Sequence, residues 1–238
     1  MARAFVGTSG WAYATWKPLF YPPDTKSAGF LRYYATRLLT LEVNYTFNHL
    51  PTEKNIAGWT EATPESFTFA LKASQQITHI RQLRDPAETL PTFFERARPL
   101  GERLGPVLFQ TPPWLKRNDD LLAMFLASLP RETRCALEVR DTSWYVPEVY
   151  ELLRTVGVAL VHAEGERAPS PLETLGNNSP FAYLRLRRRE GYDDAAVNAW
   201  TARLVPLLAS GADVYTYFRH DETGANALAA ERLRRSLT

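Results

Sequence analysis

The segment FTFALK at residues 67–72 carries the clearest β-strand pattern in the chain, and the other strands are assigned by comparison with it. Its apolar side chains Phe67, Phe69 and Leu71 alternate with smaller or polar side chains and the segment ends at Lys72. Successive side chains of a strand point to opposite faces, so this period of two predicts a strand with one apolar face. Lys72 then lies on the opposite face, at the C-terminal end of the strand.

Seven further short apolar runs have the length of β-strands, and patterns typical of helices separate them. These runs occupy residues 4–8, 40–44, 107–110, 135–140, 158–162, 181–187 and 212–218. The alternation of strand and helix predicts the α/β class with a parallel sheet. Eight strands in 238 residues match a TIM-like (β/α)8 barrel, which typically has roughly 250 residues. An open doubly wound sheet is the alternative, but no G-x-G-x-x-G motif follows the first run.

Residues 163–180 form a stretch rich in proline, glycine, serine and asparagine. This stretch has no clear helical pattern, so we predict a long loop that replaces most of the sixth helix of the barrel. No segment with the composition of a linker divides the chain. We therefore expect residues 1–238 to form a single barrel domain.

Composition and charge limit the classes of function. The chain is 45% hydrophobic, and 28 Lys and Arg against 26 Asp and Glu leave a net charge of +2, which gives no global indication of nucleic-acid binding. The one cysteine, Cys135, cannot form a disulfide within the chain, which suits a reducing compartment. The sequence shows neither a signal-peptide core nor an apolar run of ~20 residues. We predict a cytoplasmic protein without a membrane span, and the oligomeric state is left open.

Strand parity predicts where the functional site lies. In a barrel, alternate residues of a strand point inward, and the outward residues should be apolar because helices cover them. Active sites of such barrels form at the C-terminal ends of the strands. The inward polar side chains at these ends are Glu42, Asn44, Lys72, Gln110, Glu138, Arg140 and Arg185. Three of them are basic and two are acidic, so the mouth of the barrel is expected to favour an anionic group.

Paired carboxylates are one candidate for catalysis. Glu42 and Glu138 would supply the general acid and base of a hydrolase or a lyase. The alternative is structural, because the same glutamates would form ion pairs with Lys72 and Arg140. Lys72 itself has two roles open to it: a Schiff base with a carbonyl substrate, or a charge partner of the glutamates.

A run of arginines follows the seventh predicted strand. Arg187, Arg188 and Arg189 come soon after Arg185, and the last helix is predicted to start near Gly224. Barrels often bind phosphate in this region with a helix N-terminus and backbone N–H groups, and arginine adds bidentate contacts. We therefore hypothesise a phosphate or carboxylate site there.

Aromatic residues are frequent in the loops after the predicted strands. Trp11, Tyr13 and Trp144 are candidates for stacking on a sugar ring or a base. Together with the basic side chains they keep open an alternative function, a non-catalytic module that binds a nucleotide or single-stranded nucleic acid. The four histidines lack a metal-binding spacing such as H-E-x-x-H, and His162 with Glu164 is the best pair. No metal site is predicted, and the cofactor is left open.

Several motifs resemble those of one family, and they occur in order through almost the whole chain. They are residues 7–11 (GTSGW), 42–47 (EVNYTF), 69–73 (FALKA), 104–110 (LGPVLFQ) and 137–140 (LEVR). This pattern resembles the domain of unknown function 72 family, which is also described as YecE-like. The resemblance implies a barrel-like β/α fold. It implies no established activity, cofactor or substrate.

Three positions depart from the pattern of this family, and all fall at the C-terminal ends of predicted strands. Arg187 and Arg188 stand where the family tends to have His-Gly, Arg219 and His220 where it tends to have Asn-Asn, and Glu164 where an Asp is usual. These departures bear on whether the chain keeps the family's substrate.

The residues together predict an enzyme that acts on an anionic, for example phosphorylated, sugar-like or nucleotide-like substrate. Glu42 and Glu138 are the predicted acid and base, with Lys72 as a further catalytic candidate. The predicted substrate-binding residues are Asn44, Gln110, Arg140, Arg185, Trp11, Trp144 and Tyr13.

Overall fold

The computed structural model describes residues 2–165, 170–175 and 179–237. Within these residues, nine strands form one sheet, and all pairs of neighbouring strands are parallel. The strands are β1 (Ala4–Ser9), β2 (Thr40–Val43), β3 (Thr68–Lys72), β4 (Leu104–Gln110), β5 (Cys135–Glu138), β6 (Ala159–Leu160), β7 (His162–Glu164), β8 (Phe181–Leu186) and β9 (Asp213–Arg219). The α/β class with a parallel sheet is therefore confirmed.

Helices surround the sheet. Those in the described residues are α1 (Phe30–Arg37), α2 (Tyr45–Asn48), α3 (Glu53–Glu61), α4 (Pro86–Ala97), α5 (Asp119–Ala127), α6 (Pro147–Thr155), α7 (Asp194–Ala209) and α8 (Ala225–Ser236). Local sequence explains some of their ends. Asn118 accepts a hydrogen bond from the backbone N–H of Leu121 and so caps α5, while Thr52 and Asn55 form a capping box at the start of α3. In the part of the chain that the structure describes, no helix is both long and apolar enough to cross a membrane.

The sheet curls into a nearly closed barrel. Its strand order is β6-β5-β4-β3-β2-β1-β9-β8-β7, so the two strands at its ends, β6 and β7, are consecutive in the chain. Only Val161 separates them. β6 pairs with β5 on one side and β7 pairs with β8 on the other.

The division at Val161 explains why nine strands occur where eight were predicted. Ser170 lies against this point: its hydroxyl donates to the carbonyl of Val161 at 3.1 Å and accepts from the N–H of Ala163 at 3.0 Å. Its backbone N–H also donates to the carbonyl of Ala163. Since Ser170 takes up backbone groups that a neighbouring strand would otherwise bind, the predicted run at residues 158–162 is split into two short strands.

Two apolar clusters confirm the predicted alternation of faces. In the FTFALK segment, Phe67, Phe69 and Leu71 are buried in the outer cluster, which the helices cover. Ala70 belongs to a second cluster inside the barrel. The other members of this inner cluster are Phe5, Leu108, Ala136, Ala159, Val161, Phe181, Tyr183, Tyr215 and Tyr217. Apolar side chains therefore fill the barrel, and the polar inward positions lie above them at the C-terminal ends of the strands.

The predicted loop at residues 163–180 is described only in part. Residues 166–169 and 176–178 lie outside the described residues. The described part of this stretch contains the end of β7 and a single 3-10 turn, Leu172–Thr174. No α-helix occurs in these described positions, in agreement with the predicted reduction of the sixth helix.

Gly7 in β1 is required by a close approach of two strands, and replacing it with alanine is expected to destabilise the protein by about 1–3 kcal/mol. A side-chain carbon at this position would lie 2.1 Å from the carbonyl oxygen of Thr40 in β2. Gly58, in the middle of α3, is the matched control, because its added carbon would meet no atom within 4 Å beyond its chain neighbours and the backbone of its own helix. Gly58→Ala should stabilise the protein by about 0.5–1 kcal/mol. Urea unfolding of both variants checks this, and equal effects would contradict it.

Candidate functional site

A cavity of about 820 Å³ opens at the C-terminal ends of the strands, where strand parity predicts the site. Its basic side chains are Lys72, Arg140, Arg185, Arg187, Arg189 and Arg219, and we call this cavity the basic pocket. Uncharged side chains that also line it are Tyr13, Asn44, Phe47, Asn48, Gln110 and His220. The pocket is more strongly cationic than the predicted mouth, because Arg219 joins it together with Arg187 and Arg189 from the arginine run of the hypothesised anion site.

Glu42 and Glu138, the predicted acid and base, lie below the basic pocket, and both bind Arg185. Arg185 donates from Nε and Nη2 to the two carboxylate oxygens of Glu42, at 3.0 and 2.9 Å. Its Nη1 donates to Oε2 of Glu138 at 2.6 Å. All three side chains are at most 2% exposed. We call Arg185, Glu42 and Glu138 the floor network.

Neighbouring side chains complete the hydrogen bonding of both carboxylates. Gln110 donates from its amide to Oε1 of Glu138 at 2.7 Å, and Tyr183 donates to Oε2 of Glu42 at 2.9 Å. Gln110 and Glu138 are direct partners in the register of β4 and β5, which explains this contact. Each carboxylate oxygen of the two glutamates therefore accepts at least one hydrogen bond.

The electrostatics of Glu138 follow from these contacts. Burial alone raises the pKa of Glu138, but the charge of Arg185 and the hydrogen bond from Gln110 more than offset it and hold this pKa below its usual value. Glu138 is therefore ionised at neutral pH. Of the two alternatives for the glutamates, the structure shows the ion-pair network, with Arg185 in place of the expected partners Lys72 and Arg140.

Lys72 differs from the floor network in having no acidic partner. Within the described residues its ammonium group makes no salt bridge and no hydrogen bond, and it lies 3.9 Å from the centre of the Phe47 ring. Burial and the neighbouring charge of Arg185 lower the pKa of Lys72 to about 8. Arg185 occupies both carboxylates, so Lys72 forms no direct ion pair with Glu42 or Glu138, although the charges of both act on it.

The loop after β3 carries unusual backbone geometry beside Lys72. A π-helical turn spans Gln76–Ile80, and Gln82, Leu83 and Asp85 all have positive φ angles, between 48° and 67°. Such geometry is costly for residues other than glycine and is frequent next to functional sites. This turn places His79 against the ring of Phe47 at 4.9 Å, and burial with the charge of Lys72 lowers the pKa of His79.

Tyr13 and His220 form another wall of the basic pocket. Their rings stack at 4.7 Å with an interplanar angle of 12°. Burial, then the charges of Arg187 and Arg219, lower the pKa of His220. An uncharged imidazole on a tyrosine face offers a flat surface beside the arginines.

The two tryptophans that were predicted to bind substrate, Trp11 and Trp144, lie outside the basic pocket. Trp11 lines a neighbouring apolar groove of about 370 Å³ and packs edge-to-face against Trp59 at 6.4 Å. Trp144 is fully buried, and its indole N–H donates to the carbonyl of Leu115 at 2.8 Å. The groove of Trp11 shares Tyr13 and Asn44 with the basic pocket, whereas Trp144 belongs to the core.

The predicted phosphate site at the start of the last helix is wrong, because the chain fills that position itself. The carboxylate of Asp221 accepts hydrogen bonds from the backbone N–H groups of Thr223, Ala225 and Asn226 at 3.0 Å each. The arginine part of the hypothesis agrees better with the structure, since Arg185, Arg187 and Arg189 line the basic pocket. Arg188 instead forms an ion pair with Glu164.

Glu164 and His162 do not form a metal site. Besides Arg188, Glu164 accepts from the Tyr192 hydroxyl at 2.8 Å and the Trp200 indole at 3.2 Å. His162 is buried, and its ring packs against Trp200. Among the described residues, no cluster of three or more His, Cys, Asp or Glu side chains is arranged to hold a metal ion.

Sequence reasoning missed Asn48 altogether and did not place Phe47, Arg219 and His220 among the site residues. A signal was present for three of them. Phe47 and Asn48 lie in the short helix directly after β2, and His220 directly follows β9, so all three are next to strand ends. Their approach to the pocket depends on how these loops fold back over the barrel, which a strand pattern does not describe.

Fold and site together define a parallel α/β barrel with a strongly basic pocket at the C-terminal ends of its strands. The chain belongs to the family described as "Protein of unknown function DUF72", whose sequence model matches residues 5–238. The predicted resemblance is confirmed. A relative in this group is the UPF0759 protein YunF of Bacillus subtilis (strain 168), which is 28% identical and aligns over 92% of this chain and 89% of its own length.

Solved structures show the same fold. A DUF72 family protein from Thermotoga maritima MSB8 superimposes with a TM-score of 0.85 at 26% identity and covers 99% of both chains. A second DUF72 family protein, from Enterococcus faecalis V583, has a TM-score of 0.73 at 19% identity and covers 90% of this chain and 94% of its own. A methyltransferase from Methanosarcina mazei, at 10% identity and a TM-score of 0.53, shares only the general fold.

Proposed function

We propose that the protein is an enzyme acting on a small anionic substrate, such as a phosphorylated sugar or a nucleotide, bound in the basic pocket. One observation carries the proposal: six basic side chains line a single cavity, whereas the two carboxylates of the floor network are already engaged by Arg185. A concentration of basic side chains in a concave site attracts anions and favours their binding.

Arg185 is suited to hold the anionic group in a fixed orientation. Its guanidinium has five N–H donors, of which three go to Glu42 and Glu138. The side chain nevertheless lines the pocket, so its remaining donors are available to a ligand. We propose that Glu42 and Glu138 act as positioning residues for this arginine, because the hydrogen bonds of Arg185 already engage both carboxyl groups.

Binding of matched ligand pairs tests the proposal. Ribose 5-phosphate and AMP are expected to bind at least about tenfold more tightly than ribose and adenosine, since only the first two place a phosphate among the arginines. Arg187→Ala and Arg219→Ala should each weaken phosphate binding by about tenfold in isothermal titration calorimetry.

Arg154 supplies the matched control, because it lies on α6 and pairs with Glu151 on the same exposed face. Arg154→Ala should leave binding unchanged. Equal affinity for the charged and uncharged member of each pair would contradict the proposal. So would an equal loss of affinity in Arg154→Ala and Arg219→Ala.

Exposed Trp114 favours the second candidate, a non-catalytic module for nucleotides or single-stranded nucleic acid. Its side chain is 61% exposed, and its ring contacts His79, which in turn contacts Phe47 in the basic pocket. A flat exposed ring next to basic side chains is typical of base stacking. Tight, strongly salt-dependent binding of an oligonucleotide that is lost in Trp114→Ala would favour this candidate over the enzyme.

We also propose that the barrel is of the (β/α)8 type and that residues 1–238 form a single domain. The support is that one residue, Val161, separates β6 from β7, so the two count as halves of one strand. A cytoplasmic location is supported by Cys135, which is the one cysteine of the chain and is buried.

A further inference from the structure

Lys72 is the one lysine of the basic pocket, although the chain contains five lysines. The others are Lys17, Lys26, Lys54 and Lys116. Lys72 ends β3 and reaches the cavity from the barrel side, where the Phe47 ring covers one side of its ammonium group. The pocket otherwise takes its positive charge from arginines, which stay protonated and do not act as nucleophiles.

The floor network leaves this amine without an acid to hold it. Glu42 and Glu138, the two carboxylates whose charges act on Lys72, both bind Arg185. An ammonium group that is partly desolvated and beside other cations loses its proton more readily than a surface lysine. With a pKa of about 8, about one Lys72 side chain in ten is a neutral amine at pH 7.

We propose that Lys72 forms an imine with the carbonyl carbon of an anionic aldehyde or ketone whose phosphate or carboxylate lies among the arginines of the basic pocket. This inference rests on the proposed function and names the substrate class of the same site. Its geometric basis is a lysine that has no acid partner among the described residues and lies in the cavity lined by Arg140, Arg187, Arg189 and Arg219.

Imine formation needs only the amine of Lys72 and the carbonyl compound, and it releases one water molecule. The neutral amine of Lys72 attacks the carbonyl carbon, a C–N bond forms, and a proton moves from nitrogen to oxygen to give a carbinolamine. Loss of the hydroxyl group as water, with the second amine proton, leaves the C=N bond. Protonated by one proton from solvent, this imine withdraws electrons from the adjacent carbon, which prepares a C–H or C–C bond for cleavage.

Reductive trapping tests the inference on the intact protein. The protein is incubated with glyceraldehyde 3-phosphate and cyanoborohydride, which delivers hydride to the iminium carbon and leaves a stable secondary amine. Peptide mass spectrometry then reports labelling of each lysine. Lys72 is expected to be labelled at least about tenfold faster than Lys26 and Lys54 near pH 7.5, because more of its amine is neutral there. Its labelling rate should level off above about pH 8, whereas the surface lysines continue to gain.

Unphosphorylated glyceraldehyde and Lys72→Arg are the matched controls. The phosphorylated aldehyde should label Lys72 at least about tenfold faster than glyceraldehyde does, and Lys72→Arg should keep only the slow surface labelling. Labelling of Lys72 no faster than of Lys26 would overturn the inference. Equal rates with the two aldehydes would overturn the substrate class.

Failure of the proposed function can be distinguished from failure of the imine inference. If calorimetry shows that ribose 5-phosphate binds and Lys72 is still not labelled, the imine is overturned while the anion site stands. If ribose 5-phosphate does not bind and Lys72 is labelled equally by both aldehydes, the proposed function is overturned together with the substrate class.

Discussion

Replacing Arg185 by methionine is expected to destabilise the protein by about 3–5 kcal/mol at neutral pH. The substitution removes the guanidinium that binds Glu42 and Glu138 and leaves two buried carboxylates with no cationic partner on the floor of the pocket. Desolvated charges without a partner are among the most costly features of a protein interior. Urea unfolding followed by tryptophan fluorescence measures the loss.

The size of this loss should depend on pH. In the native protein the pKa of Glu138 is below its unfolded value, so its contribution to stability is present above about pH 4.3 and is lost as the pH falls. In Arg185→Met the burial of Glu138 is opposed only by the hydrogen bond from Gln110 and the charge of Arg187, so we expect its pKa to rise above the unfolded value. The penalty is then complete at neutral pH and shrinks as the pH falls through that raised pKa. The difference in stability between the two proteins should therefore decrease from pH 7 to about pH 4.5.

Two further variants separate charge from packing. Adding Glu138→Gln to Arg185→Met removes one of the two unpartnered charges and should recover part of the lost stability. Arg185→Lys keeps the charge but loses the bidentate geometry, so its effect should be intermediate. A loss below about 1 kcal/mol in Arg185→Met, or a loss that does not change with pH, would show that the floor network is not an essential ion cluster.

Trp144→Ala is expected to cost about 3–5 kcal/mol of stability as well, but without effect on anion binding. The side chain is fully buried, so its removal leaves a large cavity. It also leaves the carbonyl of Leu115 without the indole N–H that donates to it at 2.8 Å. A loss of stability without a loss of anion binding would show that Trp144 serves the core and not substrate binding, the role that the sequence suggested.

Trp114→Ala is the matched control for this prediction. Trp114 has the same chemistry and is 61% exposed, so its loss should change the free energy of unfolding by less than about 0.5 kcal/mol. Unfolding curves and phosphate titrations of the two variants are compared directly. Weaker phosphate binding in a Trp144→Ala protein that remains folded would contradict the prediction and show that Trp144 contributes to anion binding.

The strand faces and the general position of the site could be predicted because both depend on local geometry. The alternation in residues 67–72 places Phe69 outside and Ala70 inside, and it does so in any register of the sheet. The same alternation, with the position of Lys72 at the end of a strand, was sufficient to bring Lys72 to the mouth of the barrel. Charge type and strand end are both visible in the sequence.

Some features carried a sequence signal that was not recognised. Asp221 lies three residues before Gly224, a spacing at which an acidic side chain can reach the first N–H groups of a helix. The predicted phosphate site at that helix start was wrong because this local contact competes with a ligand. Ser170, in contrast, lies in the loop after β7 and contacts the backbone at Val161, where the strand divides. No pattern in the strand itself indicates this contact.

The sequence by itself determined which residues face the mouth of the barrel, because the direction of a strand side chain depends on its immediate neighbours. Only the tertiary structure decided which charges pair there. Arg185 comes from β8 and reaches Glu42 on β2 and Glu138 on β5, so the pairing depends on the curvature of the whole sheet. Lys72, although closer than Arg185 to Glu42 in the chain, is left without a carboxylate among the described residues for that reason, and the chemistry proposed for it follows from a contact that it does not make.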